Sequence, residues 1–250
     1  MTQLLAPPIT PADSLVAALR GEGHAVLSPA GLASSAGVAP AELDAWRTHW
    51  NQLPPDAYLR DGGRYRRRRH SCFVVDGNVV TQAPHRAHWQ PVAYNALHGG
   101  LERWFEPMEA AVCATPAWHK LLRSLAAAAS ALKGAQPWYV EAHQFRIDTT
   151  DGIGRPTPEG AHRDGVDFVA VLLVARHQVK GGETRVFAAD GPQGLRFTLS
   201  EPWTTLLLDD ERVIHETTPI QPLDEPGWRD TLVLTLRARG FQGPEEARAG

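Results

Sequence analysis

With only two cysteines in 250 residues, Cys72 and Cys113, the chain has neither a disulfide framework nor a thiolate zinc cage within its means. Any metal it holds must sit on nitrogen and oxygen. No stretch approaches the roughly 18 consecutive apolar residues of a membrane-spanning helix. The opening Met1-Thr2-Gln3-Leu4-Leu5-Ala6-Pro7-Pro8 also lacks the basic start and long apolar core of a secretion signal. The cytoplasm is therefore the expected location, without a membrane partner. A strong excess of either charge is missing as well. The net charge of -3 and pI near 6.4 create no field to gather nucleic acid or anionic lipid, so a small-molecule substrate, neutral or anionic, is the expected partner. Oligomeric state is left open, with a homodimer among the options.

What is present is ordinary globular material. A composition 43% hydrophobic and 21% charged excludes disorder and fibrous repeats, and the length suits one large domain. Up to Gly134 the pattern is mainly helical. Asp13 caps an expected helix over 14–20, His24 to Leu27 reads as extended, and Leu43, Trp46 and Trp50 fall at helical spacing after Pro40. Helices are also expected over 102–108 and 117–133, the latter closed by Gly134. Between them, residues 64–75, the turn Asp76-Gly77-Asn78 and Val79-Val80 read as a hairpin. An extended chain there separates Arg64, Arg66 and Arg68 from Arg67 and Arg69. One reading is a charge-protected edge strand. The other sends Arg66 and Arg68 into a pocket to hold a substrate carboxylate. His24 and His49 have no partners at ligand spacing, and His85 and His88 read as loop residues.

From Gln136 the pattern changes to short strands separated by Gly/Pro turns, which argues for a sandwich or double-sheet jelly roll. The expected organisation is a single domain over 1–240, with 1–135 a mostly helical support with a few strands, 136–240 the jelly-roll core carrying the site, and 241–250 a flexible tail. In the last strand Leu232, Leu234 and Leu236 share one face while Arg229, Thr231, Val233 and Thr235 share the other. The first face suits packing under helices, the second a cavity.

The chemistry centres on His162 and Asp164, which lie on one side of an extended chain just before the apolar run 166–174. Alone they could be solvated loop residues. His215 downstream supplies a third ligand, with His177 as a rival in a polar connection. Two imidazoles and a carboxylate occupy one face of an octahedron and leave three positions open, as in non-haem Fe(II) oxygenases. Arg229, with the Thr231 hydroxyl beside it, suits bidentate capture of a carboxylate. Gln144 and Arg146, on one face of the strand at 138–147, are further candidates to line the site.

The order His162-x-Asp164, His215, Arg229-x-Thr231 resembles the 2-oxoglutarate- and Fe(II)-dependent dioxygenases of double-stranded β-helix fold. Four blocks narrow the resemblance: His143-Gln144-x-Arg146-Ile147, Pro158-Glu159-Gly160-x-His162-Arg163-Asp164-Gly165-x-Asp167-Phe168, Gly181-Gly182-Glu183-Thr184 and Asp209-Asp210-x-Arg212-Val213-x-His215. They are similar to a bacterial branch that contains free L-isoleucine hydroxylases and relatives known through biofilm and stress phenotypes. The similarity spans roughly residues 136 to 237. It implies that His162, Asp164 and His215 bind Fe(II), and that Arg229 and Thr231 hold 2-oxoglutarate. It also implies that O2 is consumed as an aliphatic C–H of an amino acid or similar small acid is hydroxylated, with release of succinate and CO2. A cupin-like isomerase that does not use 2-oxoglutarate, and a non-catalytic regulatory protein on the same fold, are the alternatives.

Overall fold

The protein is described here by a computed structural model covering residues 4–95 and 97–244. Its frame is a seven-stranded antiparallel sheet. In spatial order the strands are β1 (His24–Leu27), β9 (Thr205–Asp209), β5 (Phe168–His177), β12 (Trp228–Arg237), β4 (Trp138–Asp148), β2 (Arg66–Asp76) and β3 (Val79–Gln82). A three-stranded sheet of β10 (Val213–Thr217), β7 (Thr184–Ala188) and β8 (Gly194–Phe197) forms the second layer, and β11 (Ile220–Pro222) pairs with β6 (Val179–Gly181). This is a double-stranded β-helix. Besides its helices, the segment before Gly134 contributes β1, β2 and β3 to the large sheet.

The even-numbered face of β12 explains where the helices sit. Leu232, Leu234 and Leu236 are buried in one cluster with Trp46, Trp50, Trp118, Leu121 and Leu122. Trp118, Leu121 and Leu122 lie on α5 (Pro116–Lys133), and the same cluster takes in Leu15 and Leu19 of α1 (Leu15–Glu22), Leu32 and Ala36 of α2 (Pro29–Ala36) and Leu43 of α3 (Pro40–Asp44). At the N-terminus of α5 the Thr115 hydroxyl accepts the Trp118 N–H at 3.2 Å and Pro116 occupies the first turn, a cap that stabilises a helix by about 1 kcal/mol. Its apolar stripe runs Ala117, Trp118, Leu121, Leu122, Leu125, Ala128, Ala129 at helical spacing. Trp50 ties this layer to the sheet, its indole N–H donating to Phe145 O at 3.1 Å and Thr231 O at 3.2 Å.

The expected helix over 102–108 does not form. Arg103 instead exchanges backbone hydrogen bonds with His88, at 2.9 Å in both directions, and pinches off the loop between them. A short helix, α4 (Ala110–Cys113), follows. Of the expected tail, residues 245–250 lie outside the described residues. Gln242 is buried, and its amide donates to Gly165 O at 2.8 Å and Asp164 O at 3.3 Å.

Candidate active site

Cross-strand partners in an antiparallel sheet share a face, so the register lays out the cavity floor in rows. Arg66 on β2 faces Ile147 on β4, which faces Arg229 on β12. The next row is Arg68, Phe145 and Thr231, and the third is His70, His143 and Val233. These odd-numbered β4 and β12 residues and even-numbered β2 residues are the cavity face. Arg66, Arg68, His143, Phe145, Ile147, Arg229, Thr231, Val233 and Thr235 line a cavity of about 840 Å³, counted out to its mouth, together with His162, Asp164 and His215. The same rule removes Gln144 and Arg146. Both point to the opposite face, where Arg146 makes a bidentate pair with Asp230 at 2.7 and 2.8 Å. The error was one of parity: β4 carries polar residues on both faces, and only its partners reveal which face is inside.

His215, on β10 of the second layer, and His162, joined to it by an isolated bridge, approach from the opposite side. Their backbones exchange hydrogen bonds at 3.0 and 2.9 Å, which sets the rings side by side with centroids 4.6 Å apart. His162 Nδ1 lies 2.9 Å from the Gly160 carbonyl. A carbonyl can only accept, so Nδ1 carries the proton and Nε2 offers its lone pair. Asp164 Oδ1 is 3.8 Å from His162 Nε2, and Asp164 Oδ2 is 3.8 Å from His215 Nε2. That spacing is too long for hydrogen bonds and right for three donors around one small ion. Burial and the neighbouring His162 push the His215 pKa down to about 3, which keeps its imidazole neutral. For His162, burial is overcome by Asp164 and Glu159 and the pKa is raised.

The turn carrying Asp164 is held from below. Asp210 accepts the backbone N–H groups of Asp164 at 3.0 Å, Gly165 at 2.7 Å and Val166 at 3.1 Å. From the other side the Gln90 amide donates to Asp164 Oδ1 at 3.1 Å. Gly165 sits at φ +74°, where an added Cβ would come within 2.4 Å of the Tyr94 ring, so glycine is required. Arg229 is buried, its Nε and Nη2 meet no protein acceptor, and burial pulls its pKa down to about 9. A buried guanidinium with unused donors facing a cavity fits a dianionic co-substrate. The donor set and the free guanidinium thus both fit Fe(II) and 2-oxoglutarate.

A second histidine cluster adjoins the first. His70, His88, Glu141 and His143 are all buried, and their candidate ligand atoms lie within 4.8 Å of one another. Here the contacts are hydrogen bonds. Glu141 Oε2 is 3.0 Å from His70 Nε2 and 2.6 Å from His88 Nδ1. Arg68 Nη2 donates to His143 Nδ1 at 2.7 Å, so the proton of His143 stays on Nε2, the atom a metal would need. His88, read from the sequence as a loop residue, is therefore part of a buried network.

Sequence reasoning missed Gln90, Asn95 and Arg103, which line the cavity from the irregular loop pinched at His88 and Arg103. Gln90 and Asn95 lie among Pro and Gly with no periodic pattern, and Arg103 fell within the helix expected over 102–108. Only the close packing of the loop, with Gly99 too near the Asn95 carbonyl to bear a side chain, distinguishes it.

A double-stranded β-helix whose cavity holds two histidines, a carboxylate and a buried arginine defines the class of 2-oxoglutarate- and Fe(II)-dependent oxygenases. The chain belongs to the 2OG-Fe dioxygenase family, whose model matches residues 47–235. As a member it is a dioxygenase that uses Fe(II), 2-oxoglutarate and O2. The crystal structure of a bsmA homologue from Methylobium petroleophilum PM1 is 51% identical, covers 98% of this chain and 100% of its own, and superposes with a TM-score of 0.90. The IDO from Bacillus thuringiensis shares the fold at 17% identity and TM-score 0.74, over 91% of this chain and 99% of that one. The Fe(II)/α-ketoglutarate-dependent dioxygenase TqaL shares it at 20% identity and TM-score 0.70, over 90% and 86%. No curated protein matches.

Proposed function

We propose that the protein hydroxylates an aliphatic C–H of a free amino acid or similar small acid, as in the bacterial L-isoleucine hydroxylase branch. In this reading His162, Asp164 and His215 hold Fe(II), and Arg229 with the Thr231 hydroxyl holds the distal carboxylate of 2-oxoglutarate. Iron bound there supplies the oxidising chemistry that couples conversion of 2-oxoglutarate to succinate and CO2 with hydroxylation. The protein's residues bind, orient and keep bulk water out.

The observation that carries the substrate class is a second cationic group in the cavity. Arg66 and Arg229 flank Ile147 from opposite sides, so their backbones are two strand spacings, about 9.5 Å, apart. Beside Arg66 stand Arg68 and Arg103, all three buried, with Arg66 Nη2, Arg68 Nε and Arg103 Nε lacking acceptors. Arg68 is stacked between Phe105 at 3.9 Å and Phe145 at 4.4 Å, which fixes its plane. Asp56, 2.7 Å from Arg66 Nε, offsets part of this charge; burial opposes its ionisation, but Arg66 and Arg68 hold its pKa below the usual range. The surplus suits a substrate carboxylate. Glu159 lines the same cavity and offers an acceptor for an α-ammonium group.

The test is succinate release, with Fe(II) and 2-oxoglutarate, across the twenty amino acids and a set of simple carboxylic acids. At least one amino acid or small acid is expected to stimulate release, and a folded, iron-loaded chain that releases no more succinate with any of them than without would contradict the reading. With that substrate, Arg229→Met should raise the KM for 2-oxoglutarate by about 10- to 100-fold and leave the substrate KM nearly unchanged, while Arg68→Met should do the reverse.

A further inference from the structure

The loop between His88 and Arg103 holds a chain of amides whose orientations are each forced by the next. The His98 backbone N–H donates to Asn95 Oδ1 at 2.7 Å, so the Nδ2 end of Asn95 must face outward, where it donates to Gln90 Oε1 at 3.1 Å. Arg103 Nη2 donates to the same Oε1 at 2.9 Å. A guanidinium has no acceptor, so Gln90 cannot turn its amide over without setting N–H against N–H. Its Nε2 is thereby fixed on Asp164 Oδ1, 3.1 Å away. Gln90, Asn95 and Arg103 are buried, at 7%, 5% and 2% exposure, which makes each of these bonds costly to lose.

We infer that Gln90 is a positioning residue for the carboxylate of Asp164, and that Arg103, at the anion-binding end of the cavity, acts on the metal site through it. This rests on the reading of Asp164 as a metal ligand. By taking one carboxylate oxygen, Gln90 leaves the other free for the ion and stops Asp164 from rotating or drawing in both histidines. The backbone bonds from Asp210 fix the turn, but Gln90 alone among the described residues donates a side-chain hydrogen bond to the Asp164 carboxylate. Partners of this kind govern metal affinity by roughly 10- to 100-fold. The Arg103 guanidinium both orients Gln90 and lines the cavity, so one residue joins the substrate end to the iron end.

The experiment is titration with Co(II) alone, without 2-oxoglutarate or substrate, of the wild-type chain, Gln90→Met, Arg103→Met and the double variant, following affinity and the visible ligand-field bands. Gln90→Met should bind Co(II) about tenfold more weakly with shifted bands. Arg103→Met, which touches no ligand, should weaken binding by a smaller factor, and the double variant should be no weaker than Gln90→Met. If Arg103→Met does not fold, Arg103→Lys carries the same test, since a lysine keeps the charge and loses the fork. Gln90→Met within twofold of wild type, or a full additive loss in the double variant, would overturn the inference while leaving the site reading intact. A folded wild-type chain that takes up no Co(II) would overturn both.

Discussion

Two groups of histidines and a carboxylate lie beside one cavity, and they differ in spacing more than in composition. In His162, Asp164 and His215 the closest nitrogen-to-carboxylate distances are 3.8 Å, with the proton of His162 on Nδ1 and donated to the Gly160 carbonyl. In His70, His88 and Glu141 they are 3.0 and 2.6 Å, with protons between the heavy atoms. Donors kept apart can surround a cation, whereas donors already sharing protons have no unmet need for one. The backbone sets the difference. Paired main-chain hydrogen bonds between His162 and His215 hold their rings side by side, while His70 and Glu141 are diagonal neighbours on one face of adjacent strands, His70 pairing with His143 and Cys72 with Glu141.

The comparison can be broken in three ways. The largest effect is expected for Asp164→Ala, which removes the only carboxylate of the triad and should abolish succinate formation, at least 1,000-fold on the order of a lost catalytic metal. Retained turnover would mean that the ligands lie elsewhere. Glu141→Ala should act on stability instead. It strands two buried imidazole N–H groups and deprives Arg68 of a nearby anion, at a cost of roughly 3–5 kcal/mol and about 10 °C in Tm. Iron stoichiometry of the folded fraction should stay unchanged. A loss of metal without a loss of stability would reverse the two roles.

The smallest effect is in pH dependence. Burial, with Arg103 nearby, pushes the His88 pKa down to about 3, and burial lowers those of His70 and His143 as well. Between an unfolded pKa near 6.5 and about 3 the unfolded chain binds a proton that folded His88 refuses. Stability therefore falls with acidification across that window, by about 1.4 kcal/mol per pH unit for this residue. Burial opposes ionisation of Glu141, but its histidine partners hold its pKa low, so its contribution is present above about 4.5 and is lost on further acidification. Thermal melts from pH 7.5 to 4.5 should show Tm declining below about 6.5. A flat profile would mean that these histidines are charged in the fold.

The paired residues of the site were legible because their spacing carries their direction. His162-x-Asp164 and Arg229-x-Thr231 each share a face in any extended chain, and Leu232, Leu234 and Leu236 identify which face of the last strand is dry. The alternation that set Arg66 and Arg68 apart from Arg67 worked for the same reason, and both line the cavity. Gln144 and Arg146 failed because β4 has polar residues at both parities, and the decision belongs to its neighbours: Arg66 and Arg229 both pair with Ile147. Gln90 and Asn95 had no period to betray them, and Arg103 was drawn into a helical pattern over 102–108 that does not form. Their positions come from a loop closed by the His88 and Arg103 backbone pair, a contact over fifteen residues that local pattern does not encode.

The most direct measurement is anaerobic titration of the metal-free chain with Fe(II) in the presence of 2-oxoglutarate, following bound iron and the visible charge-transfer band. One iron per chain and one band are expected in the wild type and in folded Glu141→Ala, with neither in Asp164→Ala. Two irons per chain, or a band that survives in Asp164→Ala and disappears in Glu141→Ala, would contradict the assignment of iron to His162, Asp164 and His215.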